Sequence, residues 1–340
     1  MKRKSWMSRV GIVVIAAIMV EAISVVQYQR INSIMVEEGQ VVQENEATEF
    51  HARLQTVRRH QVGLVLLGLA ALAFMIRRYA HSEQKRREAD EENARIGAEL
   101  KVASDIQQRM LPPRQFQQDE VEIFASLVPA REVGGDLFDY YVRDGKLFFC
   151  IGDVSGKGVP SAMLMSVAHS IFRMLSQIIN SPAEILQVMN GELCRGNDNN
   201  MFLTFFLGCL DLYSGELTFA NAGHDKPFLI SGGVSQLDTK ANLPLGVFAD
   251  TRFQQQTCTL SHGTTLVLYT DGLTEAKNSD RKQFGAGRVK EVLENCQRGN
   301  DFSPGTLVTA LTEAAHGFAG SEAQSDDLTL LVVHYTPKLN

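Results

Sequence analysis

Carboxylates at the ends of apolar runs can hold a hard divalent cation, and this chain repeats that arrangement at several points. The first is the stretch Gly134 to Gly158, where two aromatic-rich runs, Leu137 to Val142 and Leu147 to Ile151, flank Asp144-Gly145. Asp-Gly between such runs favours a two-residue type I′ turn, so the stretch reads as a β-hairpin. The turn sets Arg143 opposite Lys146. The same register carries Asp139 opposite Cys150 and Asp136 opposite Asp153. Like charges facing each other across a ladder repel, and a divalent cation between Asp136 and Asp153 would offset that cost. Hard oxygen donors suit magnesium, manganese or calcium, and no Cys or His cluster stands nearby to favour zinc. Taken singly, an acidic residue at a strand end is more often a solvated loop residue. Strand parity puts Asp139 on the face opposite Asp136 unless a bulge intervenes.

Two further sites repeat the pattern. Leu266-Val267-Leu268-Tyr269-Thr270 runs into Asp271-Gly272, and Asp326-Asp327 immediately precedes the apolar run Leu328 to Val333. Carboxylates at four strand ends can supply a pair of metals about 3.5 to 4 Å apart, the arrangement that clamps a phosphoester and activates water for in-line attack. Chemistry alone therefore points to an acid-rich, two-metal phosphoester hydrolase.

The elements that must position these residues are legible around them. Beyond Ser155-Gly156-Lys157-Gly158 and Pro160, Ser161 to Ile179 reads as a helix, and its methionines read as core. Ser181-Pro182-Ala183-Glu184 is a capping box that starts a second helix reaching about Cys194, and the two are expected to pair. Strand-like runs follow at Phe202 to Asp211, Glu216 to Asn221, Phe228 to Ile230 and Thr265 to Thr270, with helices at Gly287 to Cys296 and Pro304 to Phe318. Consecutive hairpin strands interrupted by helix pairs predict stacked antiparallel sheets flanked by helices, an α+β fold, rather than a doubly wound parallel sheet.

The 340 residues are 44% hydrophobic with a net charge of −6, a folded composition without the basic, aromatic-interleaved surface that nucleic-acid binding needs. The five cysteines form no Cys-x-x-Cys pair and read as buried thiols of a reducing compartment. Toward the start, Lys2, Arg3, Lys4 and Arg9 precede the apolar run Val10 to Val26, and a second run, Val62 to Ile76, is closed by Arg77 and Arg78. Both read as membrane-spanning helices, with Trp6, Tyr28 and Tyr79 at the interfaces. A cleaved leader is the alternative for the first, but a small-residue cleavage site is missing. The Lys/Arg bias puts both ends in the cytoplasm, although Arg53, Arg58 and Arg59 weaken it. Glu21 within a span costs roughly 2.5 to 3.5 kcal/mol on insertion scales and is better placed against a partner helix, one route to a homodimer. Gln27 to Gln61 looks like helical extensions and a turn, too small for a folded sensor. Tyr79 to Met110 is a Pro-free, charge-rich helix with Ala89, Ile96, Ala103 and Met110 at heptad spacing, either a solvated linker or a coiled coil, ended by Pro112-Pro113. The expected division is thus a membrane anchor over 1–78, a helical linker over 79–113 and a catalytic domain over 114–340.

Six ordered motifs carry a family resemblance: Gly-Gly-Asp136-Leu-Phe-Asp139, Ile-Gly-Asp153-Val-Ser-Gly-Lys-Gly, Asn221-Ala-Gly-His224, Leu243-Pro-Leu-Gly246, Tyr269-Thr-Asp271-Gly-Leu-Thr-Glu275 and Asp326-Asp327-Leu-Thr329. The stretch from about Leu100 to Tyr335 resembles the metal-dependent type 2C (PPM) protein serine/threonine phosphatases, in particular the bacterial SpoIIE-like members that regulate sigma factors. The resemblance implies an α-β-β-α sandwich, two Mn²⁺ or Mg²⁺ ions and a phosphoserine or phosphothreonine protein substrate. Asp153 would then bridge both metals with the Val154 carbonyl as a further ligand, Asp136 would hold one metal, and Asp271 and Asp326 the other. Asp139 and Asp327 belong to the motifs too, either as further metal ligands or as residues that hold ligands in place. His224 reads as structural rather than as a proton donor. Where the family often has His, this chain has Lys157, a change that bears on phosphate contacts. The implied partner is a phosphorylated anti-sigma-factor antagonist of the STAS-domain type, and the implied setting is the inner membrane with the catalytic domain in the cytoplasm. Two other readings compete. A phosphatase-like domain can serve as a binding module, and Gly-Gly-Asp also resembles diguanylate cyclases, in which an acid is needed where Leu137 stands.

Overall fold

The computed structural model describes residues 44–337 apart from 196, 198, 199, 241, 300 and 301, together with scattered positions between 19 and 33. The chain divides into two compact units, Met1–Ala94 and Arg95–Asn340. Helix α1, Glu44–Met110, is 67 residues long, unbroken by any Pro, and stops just before Pro112-Pro113 as expected. The expected linker is therefore the continuation of the expected span. Part of this helix is long and apolar enough to cross a membrane by length and composition, with a mean hydropathy of 1.7 over its most apolar window. Leu64, Leu67 and Phe74, within the expected second span, are exposed large apolar side chains. The first expected span, Val10 to Val26, lies largely outside the described residues, as do Trp6, Glu21 and Tyr28.

The second unit is built from two antiparallel sheets. Strands β1 (Gln115–Gln118), β2 (Val121–Val128), β7 (Phe228–Ile230), β8 (Val234–Gln236), β10 (Thr264–Tyr269) and β11 (Leu328–Tyr335) form one, in the order β1-β2-β11-β10-β7-β8. Strands β3 (Leu137–Arg143), β4 (Lys146–Val154), β5 (Leu203–Asp211), β6 (Glu216–Ala222) and β9 (Gln256–Thr259) form the other, in the order β3-β4-β5-β6-β9. The β3-β4 hairpin has the register its turn dictates, Arg143 against Lys146 and Asp139 against Cys150, and Asp144 and Gly145 both take positive φ (52° and 71°). β1, β2, β8 and β9 were not anticipated from the residues alone.

Three apolar layers hold the unit together. Between the sheets, Phe138, Phe149, Phe206 and Phe219 of one meet Ile123, Leu266, Leu268 and Leu331 of the other. The Phe149, Phe206 and Phe219 rings stack at centroid distances of 6.3 and 5.6 Å. Helices α2 (Val159–Leu175) and α3 (Pro182–Cys194) cover the outer face of the five-stranded sheet through Met165, Phe172, Leu186 and Met189. Ser181 caps α3 by accepting the Glu184 N–H at 3.3 Å, as its capping box requires. Helices α5 (Gly285–Arg298) and α6 (Pro304–Ala319) cover the six-stranded sheet through Val289, Leu293, Leu307 and Leu311. A one-turn helix, α4 (Asp271–Thr274), leaves the end of β10. The result is the expected α-β-β-α sandwich.

Asp139 takes a structural position. Its carboxylate, fully buried on the helix-facing side of β3, is bound by the Arg173 guanidinium through Nε and Nη2 and lies 3.1 Å from His169 Nε2, both on α2. Parity had already turned it away from Asp136, and the intervening Leu137 and Phe138 keep it there. Breaking a buried ion pair strands the remaining charge, so Asp139→Ala should lower unfolding stability by roughly 3 kcal/mol in a denaturant titration while leaving divalent-cation affinity unchanged.

Candidate metal centre

Four carboxylates arrive from both sheets at one end of the sandwich. Asp136 directly precedes β3 and Asp153 is the penultimate residue of β4, while Asp271 opens α4 after β10 and Asp326 stands two residues before β11. Asp136 is the anchor between the sheets. Its Oδ2 accepts the Thr270 hydroxyl at 2.7 Å and the Thr329 hydroxyl at 2.5 Å, both from the opposite sheet. Those threonines also fix each other, Thr329 N–H donating to Thr270 Oγ1 at 3.0 Å.

Asp327 acts on backbone rather than on the cluster's interior. Its Oδ1 accepts the Ala130 N–H at 2.8 Å, and its Oδ2 accepts the N–H groups of Gly135 at 2.7 Å and Asp136 at 3.4 Å. It thereby fastens the loop that presents Asp136. The approach is close enough to exclude side chains: a Cβ on Gly134 would lie 2.4 Å from Asp327 Oδ2, and one on Gly272 only 1.9 Å from the Asp327 carbonyl oxygen. The same loop is gripped from the other side by Gln107 of α1, whose Nε2 donates to the Gly134 carbonyl at 2.7 Å while its Oε1 accepts the Gly134 N–H at 3.2 Å. Val154 has a buried side chain, and its carbonyl oxygen lies beside Gly135.

The electrostatics follow from burial and crowding. Burial, then Asp153, then Asp327 push the Asp136 carboxyl well above the usual range, against the pull of Thr329 and Thr270. Asp153 is pushed up to about 7 by burial and by Asp271, with Asp326 and Asp327 adding to it, while a hydrogen bond with Asp136 pulls it back. Asp271 rises to about 6 through burial and then Asp326, Glu275 and Asp225, opposed by Lys157. Each member makes the next harder to ionise, which is the electrostatic signature of one shared site. An all-oxygen donor set with this much uncompensated negative charge fits a hard divalent cation. Among the described residues, no three His, Cys, Asp or Glu side chains already close around one point. Asp326 shows why, since its Oδ1 accepts the Asp327 N–H at 3.0 Å and its Oδ2 sits 2.7 Å from Lys157 Nζ.

His224 belongs to the turn after β6. It is buried, burial drives it down to about 4 and so keeps it neutral, and its Nδ1 lies 2.9 Å from Thr204 Oγ1. Asn221 braces the turn through the His224 N–H at 2.7 Å and carbonyl at 2.9 Å. Thr270, Thr329 and Gln107 were not singled out from the sequence. The two threonines had a signal, a hydroxyl close to an acid at the end of an apolar strand; Gln107 lies in the stretch Ala103 to Pro112, whose resemblance to the entry helix of the family subgroup marked the stretch but not this residue.

Two face-to-face antiparallel sheets, helix pairs outside them and an acidic cluster at one end define a PP2C-type domain. The SiaA PP2C domain of Pseudomonas aeruginosa has this fold, superposing with a TM-score of 0.63 over 72% of this chain and 98% of that one at 24% identity. Residues 143–336 match the family model of stage II sporulation protein E (SpoIIE), and the chain belongs to that family. It is similar to the phosphoserine phosphatase RsbU of Bacillus subtilis, 29% identical over 188 residues, 54% of this chain and 56% of RsbU. It is also similar to protein IcfG of Synechocystis, 28% identical over 267 residues, 69% of this chain and 41% of IcfG. The chain thus spans about half the length of these curated relatives.

The raised carboxyls have a consequence for stability. Asp153 and Asp271 bind protons more tightly folded than unfolded, so their favourable contribution is complete below about pH 4 and is lost as pH rises through about 6 to 7. Other carboxylates change stability with pH too, so the difference from Asp153→Asn isolates the effect. In chelator, the wild-type melting temperature should fall relative to that of Asp153→Asn between pH 4 and pH 8. Mn²⁺ at about 100 times its dissociation constant should add about 2.7 kcal/mol to the wild type.

Proposed function

We propose that this chain is a membrane-anchored, metal-dependent protein serine/threonine phosphatase acting on a phosphorylated signalling protein. The observation that carries the reading is the convergence of Asp136, Asp153, Asp271 and Asp326 from both sheets, with burial and neighbouring acids holding the Asp136, Asp153 and Asp271 carboxyls above their ordinary range. Membership of the SpoIIE family and similarity to RsbU, which is named a phosphoserine phosphatase, support it.

In this reading Asp153, the Val154 carbonyl, Asp136, Asp271 and Asp326 would together hold the ions, Asp136 on one side and Asp271 with Asp326 on the other. Two Mn²⁺ or Mg²⁺ ions, when bound, supply the Lewis acidity that makes water a nucleophile for in-line attack on phosphorus. Thr270 and Thr329 orient the Asp136 carboxylate and Asp327 fixes its loop, so the donors are held before an ion arrives. The substrate we favour is a STAS-domain anti-sigma-factor antagonist, from the resemblance set out above. Two spans, at 10–26 and 62–76, would anchor the chain in the inner membrane with 79–340 in the cytoplasm, and the spans and linker could pair in a homodimer.

A phosphoserine peptide should be hydrolysed only with Mn²⁺ or Mg²⁺, and Asp153→Asn should lower the rate about 100-fold or more. Full activity in EDTA would refute the metal assignment. Cation binding without any hydrolysis would favour the binding-module reading.

Control through α1 follows from the Gln107 grip on the loop of Asp136, because that helix runs unbroken from the apolar stretch to Gln107. Two residues inserted near Glu92 turn the downstream helix by about 200°, whereas seven return it nearly to its original face. Full-length protein in membranes should keep near wild-type phosphatase activity with seven and depart from it sharply with two. Equal, wild-type activity for both would make the helix a passive tether.

A further inference from the structure

Lys157 stands between Gly156 and Gly158, at φ of 89° and 82°, in the loop joining β4 to α2. Its ammonium reaches across to the other sheet's side of the centre, lying 2.7 Å from Asp326 Oδ2 and donating to the Ser325 carbonyl. The other oxygen of Asp326 is taken by the Asp327 N–H. Both oxygens of this carboxylate are thus committed within the chain, one to a peptide group and one to a movable cation. Lys157 also opposes the repulsion on Asp271, so its charge is felt by both carboxylates on that side. Asp136, by contrast, is engaged by two neutral hydroxyls, and by no lysine or arginine among the described residues.

We infer, resting on the metal-centre reading above, that Lys157 is a tethered counter-cation that competes with a divalent ion for Asp326, so that the Asp271–Asp326 side fills only as the ammonium leaves. The Asp136–Asp153 side has no such competitor and fills first. With its side chain 38% exposed, Lys157 can swing into water at small cost. An ion pair this open is worth up to about fivefold in an equilibrium, enough to separate the two affinities without closing the second position. Neither proton transfer nor covalent chemistry is involved. The lysine exchanges one charge partner for solvent while the carboxylate exchanges a monovalent cation for a divalent one.

The test is Mn²⁺ titration of the full-length protein in detergent, followed by loss of the free-ion electron paramagnetic resonance signal, with Lys157→Met and Lys157→Gln beside the wild type. Removing the competitor should tighten the weaker of two Mn²⁺ affinities by up to about fivefold and leave the tighter one in place. Lysine labelling read by mass spectrometry should show Lys157 modified faster once Mn²⁺ is added. If the wild type binds Mn²⁺ but both variants bind it equally or more weakly, or if Mn²⁺ leaves Lys157 labelling unchanged, the inference fails and the metal-centre reading stands. If the wild type binds no Mn²⁺, both fail together.

Discussion

Carboxylates that would repel one another in isolation are held together here by everything beneath them. Asp136 and Asp153 come from one sheet, Asp271 and Asp326 from the other, and burial together with neighbouring charge makes Asp136, Asp153 and Asp271 reluctant to ionise. Such crowding persists only when the scaffold is stable enough to tolerate it. The inter-sheet layer of Phe138, Phe149, Phe206 and Phe219 provides that reserve, at about 1.5 to 3 kcal/mol for each large side chain fully buried. The sandwich makes the repulsion tolerable, so the packing that stabilises the unit also holds the acidic cluster together.

Three aspartates within the same motifs meet three fates, decided by what each carboxylate touches. Asp136 meets two hydroxyls and other acids, Asp139 meets Arg173 and His169, and Asp327 meets backbone N–H groups. Of the three, only Asp139 has a cationic partner among the described residues. Asp139 spends its charge tying α2 to β3, and Asp327 spends its hydrogen-bonding capacity on the glycine loop before Asp136. A substitution at each of the three would remove something different: an acid of the cluster, an ion pair between β3 and α2, or the anchor of the glycine loop.

The glycine loop also connects the centre to the end of α1. Gln107 satisfies both backbone polar groups of one residue, the Gly134 N–H and carbonyl, two residues before Asp136. A paired amide grip of this kind fixes rotation as well as distance, which a single hydrogen bond cannot do. Rotation of the helix is therefore felt by the loop. Lys157 approaches the opposite side of the centre from another loop, so the two halves of the acidic cluster are attended by different elements.

Local chemistry settled much of this protein in advance. Asp144-Gly145 fixed the hairpin register and with it the approach of Asp136 to Asp153; the Ser181 capping box fixed the start of α3; Pro112-Pro113 ended α1. These are short-range effects, decided by backbone geometry over a few residues, and so readable without knowing the fold. The strands β1 and β9 were not readable, because Gln115–Gln118 and Gln256–Thr259 have no apolar alternation and become strands only by pairing with β2 and β6. Nor did β2 stand out, although its alternating burial is plain once β11 lies beside it. At the site, residue type told which side chains could bind a cation but not which would be left free to do so. That was decided by partners 34 to 193 residues away along the chain, Arg173 for Asp139 and Thr329 for Asp136, which only the packing of two sheets and a helix brings within reach.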